Sequence, residues 1–268
     1  MTAALAGLSF LGLTLLLGGA LTRRWLTPGT PPVWLPGVGL TLLVLGWGGQ
    51  VTLTLSALGL TAPGDVLAYL TATGTGRAML TGVMGCLVLL AGTLSRWPWG
   101  LNLTAALVTA WGVAGVGHGA GHGLWVRGLH AAHVGAMAVW TGGVLALICT
   151  RPLTPEHARR FTPAALGSVA VLAATGLLMS GQHLTTVAQW TGSGYGQTLL
   201  VKLTLVALTL GAAVFVRRAF ARRVPPRGAL AREALLLAAV LGATGVLSTR
   251  PPPQNANHPA HAGTGQLP

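Results

Sequence analysis

Eight histidines carry most of the chemistry that this 268-residue sequence can offer. His118 and His122 bracket Gly119-Ala120-Gly121. In a helix that i, i+4 spacing puts both imidazoles on one face; the glycines equally allow a loop that wraps a metal. His130 and His133 stand at i and i+3, and Met137 and Trp140 follow at i+7 and i+10. One helix face therefore reads His130, His133, Met137, Trp140. Further on, Met179 and His183 again stand at i and i+4. Histidine is the commonest metal-ligating side chain. Imidazole combined with thioether suits copper better than zinc or magnesium. Each residue has a plainer reading too: a histidine at a helix end is often only solvated, and a methionine stripe is often packing. The signal is the convergence. His258 and His261, in the last residues, read as part of a tail without function or as a weak metal scavenger.

The other reactive side chains are few. Asp65, Glu156 and Glu233 are the three carboxylates, and no two are spaced for acid–base catalysis. Glu233 follows Arg232 near a helix start, which reads as a local ion pair. No nucleophile motif and no phosphate-binding loop is present, so the chain does not read as an enzyme. Cys86 and Cys149 both fall inside apolar runs, which argues against a disulfide framework.

The elements that must position the histidines are membrane helices. The chain is 52% hydrophobic and 7% charged, whereas soluble domains carry about 25% charged residues. Eight apolar runs come near the ~20 residues a spanning helix needs: 3–21, 33–60, 78–95, 99–117, 128–149, 161–184, 198–216 and 229–248. The net charge of +13 does not indicate a nucleic-acid partner, because the basic residues sit at the ends of these runs. Twelve of the sixteen fall on one set of connections, including Arg23, Arg24, Arg159, Arg160, Arg217 and Arg218. By the positive-inside rule that set is inner, so both termini lie outside. The first run has no basic residue before it and Arg23 and Arg24 after it, the order of a retained helix rather than a leader. The expected organisation is an all-α, N-out/C-out bundle of about eight transmembrane helices over 1–249, with a disordered outer tail over 250–268. Lipid is its surround.

A weak internal repeat is also visible. Thr71-Ala72-Thr73-Gly74-Thr75-Gly76 precedes the third run, and Thr191-Gly192-Ser193-Gly194-Tyr195-Gly196 precedes the seventh, 120 residues later. Two four-helix halves of like orientation would explain it, as in parallel-repeat transporters; chance recurrence of Gly/Thr-rich loops is the alternative. On this topology His118, His122, His130, His133 and His183 all lie toward the outer side, brought by the fourth, fifth and sixth helices. His157 alone is inner. Lys202, a turn inside the seventh run, is expected to snorkel to the interface.

At these residues the sequence resembles the copper resistance protein D (CopD) family of bacterial membrane proteins, most strongly from Trp111 to Arg218. Gly117-His118-Gly119-Ala120 is similar to that family's glycine–histidine segment. Leu129 to Val144 is similar to its helix with a histidine seven residues before Trp-x-Gly-Gly, here His133, Trp140, Gly142 and Gly143. Arg159-Arg160-Phe161, Thr175-Gly176, the segment from Gly194 to Lys202 and, less specifically, Thr73 to Ala78 extend the likeness. The resemblance implies eight helices and copper movement at the cytoplasmic membrane, usually inward and often beside a small extracytoplasmic copper carrier. No carrier domain is fused here, the outer loops are not Met-rich, and His122 and His130 have no counterpart in the family pattern.

The expectation is therefore copper transport. Copper ions would be collected by His118, His130, His133 and His183, with His122 nearby and Met137 and Met179 as soft ligands. A path inward would use Met84, Cys86 and Cys149, with Gln50 lining it or only hydrogen-bonding between helices. Two other readings stand beside this one: a b-type cytochrome with haem held by His133 and either His183 or His118, and an assembly factor that hands over copper without transporting it. The topology is testable by itself. A phosphatase reporter inserted at Thr61 should be active outside, and a fluorescent reporter at Pro225 should report an inner location; the reverse pattern overturns the orientation.

Overall fold

The structure, a computed structural model, describes residues 2–25, 31–116, 123–183, 187–221 and 227–249. Ten helices run through them. α1 starts as Thr2–Leu13, passes through a π-helical turn at Thr14–Gly18 and ends as Gly19–Trp25. Then come α2 (Trp34–Ala57), α3 (Pro63–Ala72), α4 (Gly74–Leu94), α5 (Trp99–Ala114) and α6 (Leu124–Cys149). The rest are α7 (Pro155–His183), α8 (Val187–Gly192), α9 (Gly194–Ala221) and α10 (Arg227–Thr249). No strand occurs among the described residues.

Seven of these helices are long and apolar enough to cross a membrane, and α5, with 16 residues, is a shorter apolar helix in the series. A helix satisfies its own backbone groups, which is what hydrocarbon demands. The outer faces agree: Leu45, Leu107, Leu177 and Leu235 are 59%, 61%, 77% and 73% exposed. Such a surface is stable against lipid and not against water. The fold is an all-α polytopic membrane bundle, as expected.

Several helix ends differ from the apolar runs, each for a local reason. α4 and α9 begin four residues earlier than expected because Thr73 and Ser193 cap them. The Thr73 hydroxyl accepts from the Gly76 N–H at 2.9 Å, and the Ser193 hydroxyl accepts from the Gly196 N–H at 2.9 Å. α7 begins at Pro155, so the segment expected as an inner loop is helical. Proline is preorganised for a first turn, and Glu156 pairs with Arg159 and Arg160 at 2.8 and 2.6 Å along that face. α6 begins at Leu124 because Arg127 folds back onto α5. Its guanidinium donates to the Trp111 carbonyl at 3.0 and 3.2 Å and lies 4.7 Å from the Trp111 ring centroid. The short helices α3 and α8 are not signalled by the apolar runs. Asp65 caps α3 by accepting from the Ala62 N–H at 2.9 Å.

The order of elements repeats. Each half has two long helices, one short helix and two more long helices. Within the halves α1 packs on α2, α4 on α5, α6 on α7 and α9 on α10; between them α1 packs on α10, and α5 on α6. α1 and α6 meet at the centre, where Gly18 and Gly142 touch backbone to backbone. A Cβ on Gly142 would run into the Thr14 carbonyl, inside the π turn. A second close crossing joins Gly12 of α1 to Gly39 of α2, and a third joins Gly82 of α4 to Gly112 of α5. One buried cluster, with Leu13, Leu16, Leu43, Trp47 and Leu89, fills the first half. Another, with Trp140, Val144, Leu147, Phe161, Leu230 and Leu237, fills the second.

Arg24 donates to the Trp97 carbonyl at 2.5 Å, so the end of α1 is tied to the turn between α4 and α5. Both segments belong to the basic, inner set. The tail from Arg250, with His258 and His261, lies outside the described residues.

The central crossing gives a stability test. Gly142→Ala should lower the thermal stability of the detergent-solubilised protein by about 1–3 kcal/mol, the usual cost of overpacking. Gly211→Ala on α9, where nothing lies within 4 Å of the new methyl, should be neutral or stabilising. Equal behaviour of the two would remove the crossing as a constraint.

Candidate metal site

The site is built on α6 and α7. Along α6 the side chains of His133, Met137 and Trp140 share one face by their spacing. Met137 and Trp140 are buried, and His133 is half-buried. His133 lies nine residues into α6, about 13 Å from the helix start, deeper than the first-turn position expected from the run. Its level is fixed by α7: His133 Nδ1 lies 2.8 Å from the Thr175 hydroxyl oxygen. Thr175 is buried, and the neighbouring Gly176 lies against the ring, its Cβ position 3.7 Å from His133 Cε1.

Hydrogen-bond accounting assigns the tautomer. The Thr175 hydroxyl donates its single proton to the Val171 carbonyl at 2.6 Å. It can then only accept from the imidazole, so Nδ1 carries the ring proton and Nε2 presents its lone pair. Among the described residues Nε2 has no hydrogen-bond partner. This is the arrangement of a metal-ligating histidine oriented through its other nitrogen.

Two further groups surround it. His130 is one turn outward on α6, half-buried and engaged in an interaction of its own. Met179, half-buried on α7, is one turn outward of Thr175. With Thr175 and His133 in register, His130 and Met179 stand at similar depth, about 5–6 Å above the bond; Met137 stands about 6 Å below it. Lys202 of α9 is close enough to act electrostatically on His133, as His130 does. Lys202, expected to reach to the interface, is half-buried and within electrostatic range of His133.

The remaining expected residues do not join this arrangement. His118 and His122 lie outside the described residues, and the His183 side chain, at the end of α7, does as well. Among the described residues no three His, Cys, Asp or Glu side chains gather to hold a metal ion. Met84 is 59% exposed on the outer face of α4 and does not line an interior path. Cys86, two residues on, is fully buried; its thiol bonds the Thr109 hydroxyl where α4 crosses α5. Cys149 is half-buried at the last position of α6. These three side chains are thus dispersed and form no continuous route.

Gln50 has a different place. Its amide donates to the Ser9 hydroxyl at 3.1 Å and to the Gly46 carbonyl at 3.3 Å. Both residues line a cavity of about 260 Å³ with Trp47, Tyr69 and Met79. This pair is the first-half counterpart of the His133 site. Ser9 on α1 precedes His133 on α6 by 124 residues, the same spacing that relates Gly18 to Gly142. Gln50 on α2 precedes Thr175 on α7 by 125 residues. In each half one helix-to-helix side-chain bond joins the first two helices, but only the second half has imidazole in it.

Glu233 was also missed as an interior residue. Glu233 is 3% exposed, and the Trp140 indole rather than Arg232 acts on its carboxyl. A carboxylate inside a predicted span is the sequence signal that could have found it.

The tautomer is directly measurable. Nitrogen-15 spectra of histidine-labelled protein should show His133 with a protonated Nδ1 and an unprotonated Nε2, and Thr175→Val should abolish that preference. An Nε2-protonated ring in the parent protein would overturn the assignment.

Comparison with known proteins gives a match on the second half of the chain. Residues 155–248 match the family described as CopD, Copper resistance protein D. The matched segment holds Thr175, Lys202 and Glu233 and starts just after α6, so it extends further toward the C-terminus, and less far toward the N-terminus, than the resemblance in the sequence. No curated protein and no solved structure matches the chain. Over those residues the chain is similar to the copper resistance protein D family.

Proposed function

We propose that this protein moves copper ions across the cytoplasmic membrane, inward, through the α6–α7 interface. The observation that carries the proposal is the His133–Thr175 bond at 2.8 Å. It leaves the imidazole lone pair at Nε2 available, with Met179 one turn outward on α7 and Met137 one turn inward on α6. Soft sulfur with imidazole selects copper, in its monovalent form above all. The family match supports a part in copper resistance; inward direction and collection from a small extracytoplasmic carrier are what the resemblance implies. His118, His122 and His183, on the outer connections and helix end, would receive the ion first, and His130 would pass it to His133.

Lys202 has a role in this reading. A transport site must bind strongly enough to fill and weakly enough to empty. A cation near His133 lowers its hold on a second cation and so favours release. On this view the protein is a transporter rather than an enzyme, and copper is its cargo.

Cellular copper accumulation tests the reading. His133→Ala, at equal protein abundance, should abolish the excess copper taken up by cells that carry the parent protein. Thr175→Val should weaken copper binding by the purified protein by roughly 10–100-fold, the usual effect of removing the partner that orients a ligating histidine. Unchanged uptake in His133→Ala overturns transport through this site. A Soret band in the purified parent would instead establish the bis-histidine haem reading. Copper bound at His133 without flux into proteoliposomes would establish the assembly-factor reading.

A further inference from the structure

Glu233 is the most unusual group in the interior. It lies six residues into α10, about 9 Å from the helix start, on the inner half of the bundle. Around it is the apolar cluster of Trp140, Val144, Leu147, Phe161, Leu230 and Leu237. The residue is 3% exposed. Burial and the Trp140 indole are the influences acting on it.

The charged neighbours are engaged elsewhere or act elsewhere. α10 packs on α1, α6 and α9. On α1, Arg23 donates to the Pro31 carbonyl and Arg24 to the Trp97 carbonyl. On α6 the ionisable groups are Arg127, held on Trp111, His130 and His133 in the outer half, and Cys149 at the inner end. On α9 they are Tyr195 and Lys202 toward the outer end, and Arg217 and Arg218 near the inner end. On α10 itself they are Arg227 and Arg232. On α7, His157 is bonded to Thr154 at 2.8 Å, and Arg159 and Arg160 pair with Glu156. None of these acts on the Glu233 carboxyl.

Among the described residues no cation acts on this carboxyl; an ionised carboxylate so placed is strongly disfavoured in a membrane interior, whereas the neutral acid beside the Trp140 indole is at home there. The indole belongs to Trp140, on the same α6 face as His133 and Met137. The stripe that begins at the metal site therefore ends on this carboxyl.

We propose that Glu233 is the charge-compensating group of the transport cycle, exchanging one proton for the passing copper ion. When a monovalent ion moves inward from His133 past Met137, the carboxyl O–H bond breaks and the proton leaves to water at the inner face. The carboxylate then balances the ion. When the ion departs inward, a proton from the same water restores the acid. One positive charge enters the interior as one leaves, and no oxidant or reductant is required. This inference rests on the transport reading given above.

Two measurements on the full-length protein test it. Infrared difference spectra should show a protonated-carboxyl stretch in the parent that is absent from Glu233→Gln and is bleached on adding Cu(I). In proteoliposomes, parent uptake should pass through a maximum as the internal pH is varied, because loss of the proton is favoured at high pH and its return at low pH. Glu233→Gln keeps an acceptor for the indole and should retain copper binding at His133. Its uptake should fall about tenfold or more, equivalent to about 1.4 kcal/mol or more on the barrier, and should lose its dependence on internal pH. A parent band that is missing or unmoved by copper overturns the proposal. Parent uptake that Glu233→Gln matches, with the same pH dependence, overturns it while leaving transport intact. Absence of uptake in the parent overturns transport itself, and the exchange with it.

Discussion

Two adjacent glycines on α6 hold the centre of the bundle. Gly142 meets the π turn of α1 so closely that its backbone lies on the Thr14 carbonyl and on Gly18. Gly143, on the next position round the helix, leaves room for the Phe161 ring of α7; a Cβ there would coincide with the ring edge. Without side chains at these two positions α6 can approach two helices at once, which is how small residues drive association where no hydrophobic effect operates between helices. The π turn is the matching distortion on α1. It widens one turn of that helix where the α6 backbone presses against it. The functional face of α6 follows from this placement, since Trp140 and Met137 are buried because their helix is.

Fixing α6 against α7 also sets the register of the candidate site. The Gly143–Phe161 contact lies about 15 Å inward along α6 from His133, and the His133–Thr175 hydrogen bond closes the interface toward the other end. Two contacts at different depths resist both sliding and rotation. The threonine does more than hold the ring: because its own proton is committed to Val171, it decides which imidazole nitrogen keeps a lone pair. In the first half the corresponding Ser9–Gln50 bond joins α1 to α2 with the same helix pairing and with neutral groups only. The two halves thus share a mechanical device, and only the second half builds it with imidazole.

The ionisable interior groups are arranged along depth. Imidazole and ammonium, at His133 and Lys202, lie in the outer half; a carboxyl, at Glu233, lies in the inner half. Between them run Met137 and Trp140, one soft and one able to donate a hydrogen bond. On the transport proposed above, a cation that followed this line would leave the neighbourhood of His133 and Lys202 for that of a carboxyl, with no fixed charge between them.

Much of this was written in the sequence. Apolar runs anticipate the seven long apolar helices and the shorter α5, because in hydrocarbon each helix must satisfy its own backbone. The i, i+4 and i, i+7 spacing determines that His133, Met137 and Trp140 share a face, since that is a property of one helix. The likeness to the copper family, and the weak repeat at Thr73 and Ser193, were legible from local residues as well. What the sequence left open concerns pairs of helices. Only the tertiary structure makes Thr175 the partner of His133, brings Lys202 within electrostatic range of it, faces Met84 outward and places Cys86 and Cys149 on different helices. It also removes Glu233 from Arg232 and gives it to Trp140. Spacing along one helix says which residues share a face, but not which neighbour that face meets. That was decided by where glycine lets two backbones touch.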